Sequence, residues 1–98
     1  MGQVAFVWDL EDDPEGNYWH ICVEGHGVTR EEVEEVVAGN YRTATLSRSS
    51  GQPEAFGWTA SGKYLTVVFE RISEDPLTVY PITAYEAPPG PRKRRKKR

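Results

Sequence analysis

The spacing of apolar positions changes once along this chain, from helical before residue 40 to alternating after it. The run "VAFVW" at 4–8 is short and β-rich and predicts a first strand. "DLEDDPEGN" then supplies turn residues and a helix start, with Asp13 as N-cap and Pro14 at the first helical position, where its missing N–H costs nothing. From there to about Glu24, Tyr18, Trp19, Ile21, Cys22 and Val23 form a broad apolar stripe, and Gly25 offers a left-handed C-cap. A second helix follows. Thr29 and Glu32 have the spacing of a capping box, Val28 and Val33 that of a hydrophobic staple, and Val33, Val36 and Val37 form one face before Gly39-Asn40 stops the helix. "GHG" at 25–27 is then a tight corner between two helices.

Past Tyr41 the alternation predicts strands near Thr43–Arg48, Glu54–Thr59, Lys63–Ile72 and Leu77–Tyr85, separated by the turn signals "SSGQP" and "ASGK". In the longest, Leu65, Val67 and Phe69 share a face with Arg71, opposite Tyr64, Thr66, Val68 and Glu70. Pro81 has no N–H for a ladder, so its strand is an edge there or carries a bulge. Strict alternation puts Tyr80 and Tyr85 on opposite faces, only one of them toward the core. The fold class is therefore α+β: two N-terminal helices on a four- to five-stranded antiparallel sheet.

Composition divides the chain once more. Seven of its twelve Lys/Arg occupy positions 92–98, leaving five against all fifteen Asp/Glu in the rest. An acidic domain over 1–87 thus precedes a cationic tail over 88–98. With no apolar residue after Ala87 and three prolines and a glycine ahead of its charges, the tail is expected to be disordered. The lone Cys22 excludes an internal disulfide and a cysteine-rich metal framework, which fits a reducing cytoplasm. No apolar run approaches the roughly 20 residues that cross a bilayer, and the start lacks a basic leader, so no membrane association is expected.

The order of these elements, with "HGVTREEVEEVV", "GKYLTVVF" and "TVYPITAYEA", resembles the BrnT-type toxins of bacterial toxin–antitoxin pairs, within the RelE/ParE-like superfamily. The likeness runs from about Phe6 to Ala87. It implies helices against an antiparallel sheet, cleavage of free or ribosome-linked RNA without metal or other cofactor, and a small antitoxin as partner. Two departures remove cations. "ITAYEA" puts Tyr85 and Glu86 where the family has arginines, and "GWT" stands for a frequent "GRS".

Metal-independent RNA cleavage needs a base for the 2′-hydroxyl, a cation for the developing phosphorane and an acid for the leaving oxygen. His26 titrates near neutrality and is the acid/base candidate, against a plain role as the hydrogen-bonding corner residue. His20, inside the first helix, reads as a packed or half-exposed helix residue. Arg48, Arg71 and Lys63 are suited to phosphate, although a neighbouring carboxylate would satisfy each equally well. Tyr85 is suited to stacking a base or donating a proton, against plain packing. "DLEDDPE" lacks the ligand spacing of a calcium loop, and neither a phosphate loop, a serine triad nor a Cys–His pair is present. Arg92, Lys93, Arg94, Arg95, Lys96, Lys97 and Arg98 form a run that binds polyanions without reading sequence, or folds back on the acidic domain. Two functions stay open. One is a toxin-like ribonuclease using His26, Arg48, Arg71 and Tyr85; the other is a non-catalytic protein-interaction module whose tail touches nucleic acid.

Overall fold

A computed structural model of the chain describes residues 4–25, 27–47 and 51–86, the side chain of Thr43 excepted. His26, Arg48 and the tail at 88–98 lie outside the described residues, as does the expectation that the tail is disordered. The described elements are β1 (Ala5–Phe6), a π-helix (Trp19–Val23), α1 (Arg30–Asn40), a 3-10 turn (Tyr41–Thr43), β2 (Thr45–Leu46), β3 (Pro53–Trp58), β4 (Tyr64–Glu74) and β5 (Leu77–Glu86). They build an α+β domain around one sheet, in the order β1-β5-β4-β3-β2.

The sheet is mixed, which corrects the antiparallel expectation. β2 to β5 are antiparallel neighbours, but β1 runs parallel to β5, with Ala5 opposite Thr78 and Phe6 opposite Val79. Alternation marks a strand without giving its direction; direction is set by the connection, and here the long path through both helices separates β1 from its partner.

α1 forms as its local signals require. The Thr29 hydroxyl accepts from the Glu32 amide at 3.1 Å, and the Glu32 carboxylate accepts from the Thr29 amide at 3.0 Å, which closes the capping box. Val33, Val36 and Val37 are buried against Leu65, Val67 and Phe69 of the sheet. The helix comes closest to the sheet at β3: a Cβ on Gly57 would lie 2.4 Å from the Asn40 amide nitrogen, so a side chain there is excluded unless Asn40 moves. Asn40 in turn donates to the Val36 carbonyl at 2.9 Å near the helix end.

The first helix departs from expectation. Asp13 and Pro14 do not start it. The Asp13 carboxylate instead accepts from the Glu15 amide at 3.0 Å, and its carbonyl accepts from the Gly16 amide at 3.0 Å, which makes a turn. Long-range bonds then position Asn17. Asp9 and Asn17 each donate a backbone N–H to the other's side chain, at 2.8 and 2.9 Å. The Asn17 amide group donates to the carbonyls of Val7 at 3.0 Å and Pro81 at 2.9 Å. The helix is widened, with Glu24 N–H reaching Trp19 O at 2.8 Å, and of its apolar stripe only Ile21 is fully buried.

β5 is an edge at Pro81, since β1 pairs with it only at Thr78 and Val79, and it also carries a bulge. Val68 is opposite Thr83 and Phe69 opposite Pro81, so Ile82 is the extra residue. That residue changes the parity of the strand. Tyr80 pairs with Glu70 and Tyr85 with Thr66, which puts both tyrosines on the same face and corrects the strict alternation. A second bulge at Ile72 lies between the Arg71–Val79 and Ser73–Thr78 pairs.

Urea denaturation at pH 7 should show Thr29→Ala destabilising the domain by about 1 kcal/mol, the usual worth of a cap. Asn17→Ala should cost more, at least about 2 kcal/mol, because it removes the three hydrogen bonds of a buried side chain. A smaller loss for Asn17→Ala than for Thr29→Ala would contradict the role given to Asn17.

Candidate nucleic-acid interface

The structure separates the described candidates. Lys63, just ahead of β4, sends its ammonium to the Gly27 carbonyl and to Glu32 Oε1 at 3.1 Å. The same glutamate accepts from the Ser61 hydroxyl at 2.7 Å, and Glu35 accepts from the Ala60 amide at 2.8 Å. Lys63 therefore clamps the β3–β4 hairpin onto the start of α1. Burial alone would raise the Glu32 pKa, but the Ser61 hydroxyl, the Thr29 amide and the Lys63 ammonium outweigh it and hold the carboxyl below its ordinary value.

Arg71 lies eight residues farther along β4, roughly 25 Å from Lys63 at about 3.3 Å per residue. It shares the face of Leu65, Val67 and Phe69, but stands past the end of α1 and is exposed. There it lines an open cleft of about 380 Å³ with Tyr41, Arg42, Glu74 and Leu77. Arg42 lies over the Tyr41 ring, 5.3 Å from its centroid, and donates from Nε to the Tyr41 hydroxyl at 3.2 Å. Arg71 makes no hydrogen bond or ion pair among the described residues, whereas Lys63 and Arg30 each face a carboxylate. Two guanidiniums against one carboxylate make this cleft the described place where a phosphate finds excess positive charge. Sequence reasoning did not single out Arg42 or Tyr41. The available signal was their place immediately after the Gly39-Asn40 helix stop.

Tyr85 is not near Arg71. It pairs with Thr66, five residues before Arg71 on β4, and projects from the opposite face. No single cleft can hold the two. His20 Nε2 is 3.2 Å from the Thr83 hydroxyl and Nδ1 is 3.6 Å from Glu24, so it bridges the π-helix and β5 as a half-exposed helix residue.

Asp9 has a structural role. The Tyr80 hydroxyl donates to its carboxylate at 2.6 Å, beside the bond from the Asn17 amide. The Tyr80 bond, then the Asn17 bond, hold the Asp9 carboxyl below its ordinary value; reciprocally, Asp9 and burial push Tyr80 up to about 12. Partial burial also raises the Cys22 thiol, which disfavours the nucleophilic thiolate. Among the described residues no three His, Cys, Asp or Glu side chains converge to hold a metal, and no described helix is long and apolar enough to cross a membrane. No protein-family model, curated protein or solved structure matches the chain.

The Asp9–Tyr80 pair gives a pH signature in both directions. Tyr80→Phe should lower the urea midpoint at pH 7. Asp9, depressed in the fold, contributes stability above its ordinary carboxyl range that is lost as acid protonates it; Tyr80, raised in the fold, contributes stability below pH 10 that is lost as pH climbs toward 12. The gap between wild type and variant should therefore narrow at both extremes, and a gap constant from pH 3 to 11 would contradict the bond.

Proposed function

We propose that this domain recognises RNA on a scaffold of the RelE/ParE-like, BrnT type, with Arg71 and Arg42 holding a phosphodiester in the cleft beside the 3-10 turn. The observation that carries the reading is Arg71 itself, a cation without a hydrogen-bond or ion-pair partner among the described residues, sharing a cleft with a second arginine in a domain of fifteen carboxylates. The seven cations at 92–98 add attachment that is salt-sensitive and blind to sequence.

Metal-independent cleavage, with an antitoxin as the natural inhibitor, is the activity that the resemblance to BrnT-type toxins adds. On the described cleft, Glu74 and the Tyr41 hydroxyl are the groups suited to moving protons beside the two arginines. The second reading, a non-catalytic binding module, draws support from the placement of Tyr85 and Arg71 on opposite faces.

The test uses the full chain, a chain ending at Pro88, and the variants Arg71→Ala and His26→Ala, with structured RNA in chelator. Arg71→Ala should weaken binding about three- to tenfold and lower the salt slope by about one, as expected for one lost phosphate contact. Cleavage by wild type that Arg71→Ala abolishes supports the ribonuclease; binding without cleavage supports the module. Unchanged affinity in Arg71→Ala would remove the cleft from either reading.

A further inference from the structure

The face of the sheet turned away from α1 carries partly exposed aromatic side chains that the Arg71 cleft does not use. Gly57 faces α1, so its neighbours Phe56 and Trp58 project the other way. Strand register extends this face across three strands. Phe56, Thr66 and Tyr85 form one row, and Trp58 and Tyr64 the next, with their rings 5.1 Å apart and tilted by 58°. Trp58 is 54% exposed, Tyr85 49% and Phe56 37%, while Thr66 between them is 1% exposed. A monomer gains nothing by presenting three adjoining aromatic side chains to water, and such a patch marks a binding surface.

The sequence beyond the patch selects the occupant. β5 ends at Glu86, next to Tyr85, and the cationic run begins at Arg92, six residues on. Six residues reach at most about 20 Å, so cations are covalently held within reach of anything lying on the patch. Aromatic faces beside a dense run of cations match a ligand with flat rings on a polyanionic backbone. Duplexes hide their rings in the stack; single strands expose them.

We propose that the open sheet face is a base-stacking surface for single-stranded nucleic acid, with Trp58, Tyr85 and Phe56 taking bases. This rests on the reading of RNA as ligand, but places a second contact on the face opposite the Arg71 cleft. Stacking reads π-faces and not the sugar, so the surface accepts RNA or DNA, whereas it discriminates against duplex and against strands without bases.

The full chain is titrated against four labelled 12-mers: 2′-O-methyl oligouridine, which resists cleavage through its 2′-hydroxyl, oligothymidine DNA, an abasic phosphodiester of equal length, and duplex RNA. Wild type should bind both base-bearing single strands about tenfold or more tightly than the abasic one or the duplex. Trp58→Leu and Tyr85→Leu should each remove about a tenfold share of that preference without changing affinity for the abasic strand. Trp58→Phe should keep most of it, and because Trp58 and Tyr85 are exposed the variants should melt like wild type. Arg71→Ala should leave the ratio of base-bearing to abasic affinity unchanged. Equal affinity for base-bearing and abasic strands, or no effect of the Leu variants, overturns the stacking surface; the RNA reading survives either result if Arg71→Ala still weakens binding. No binding by any strand overturns both. A dimer of wild type that Trp58→Leu converts to monomer also overturns the inference, since a second copy would then cover the face.

Discussion

β5 places a proline inside a sheet, and Pro81 has no N–H to give to a neighbouring strand. The structure around this missing donor determines much else. β1 follows β5 only as far as Val7, whose amide reaches the Val79 carbonyl at 2.9 Å, and then leaves. The side-chain amide of Asn17 takes over, donating to Val7 and Pro81, so that it extends the ladder where the strand has ended. Asn17 must therefore reach β5, and the turn at Asp13–Gly16 and the late start of the π-helix follow from that need. The extra residue Ile82 lies on the β4 side between the Val68–Thr83 and Phe69–Pro81 pairs and shifts the parity of everything after it. Without this shift Tyr85 would point toward α1. With it, Tyr85 joins Phe56 and Thr66 on the open face.

Carboxylates are numerous in this domain, and several of them serve as hydrogen-bond acceptors that tie elements together. Glu32 and Glu35 bind the β3–β4 hairpin to α1, Glu34 accepts from the Trp8 indole at 2.8 Å, and Asp9 joins β1, the π-helix and β5. Lys63 is drawn into the first of these clamps, which explains why a lysine suited to phosphate in the sequence is engaged by Glu32 in the fold. A small domain with a limited core gains from such charge-assisted bonds between distant segments. The cations left over are consequently few, and Arg71 stands out among them.

How much of this the sequence discloses depends on the range of the interaction. The capping box at Thr29 spans three residues and is legible directly; so is the apolar face of α1, since Val33, Val36 and Val37 carry it without outside help. The need for a bulge or an edge at Pro81 is legible from one residue, but that β5 has both, with the bulge at Ile82, depends on β1 and β4 and is not. Asn17 bonds to a carbonyl 64 positions away, and nothing in "EGNYW" announces it. The Pro14 signal was real local chemistry overruled by those long-range bonds. For the site, Arg71 was legible as a cation at a strand end. Its company was not: Arg42 and Tyr41 arrive through the 3-10 turn after α1, while Tyr85, near enough in sequence, is carried to the other face.

Net charge is a poor guide to where a polyanion can bind on such a domain. At physiological ionic strength the screening length is about 8 Å. β4 alone, at eleven residues, extends roughly 36 Å, so carboxylates at one end of the sheet scarcely act on a phosphate at the other. The charges that matter at the Arg71 cleft are those lining it, two guanidiniums and Glu74, since Glu70 next in sequence points to the opposite face. Over the rest of the surface the carboxylates repel a nucleic acid that approaches elsewhere. An acidic body whose described cations lacking a carboxylate partner lie in one cleft would thus restrict where a strand can settle, and repulsion from the rest of the surface would contribute to selectivity alongside the contacts made.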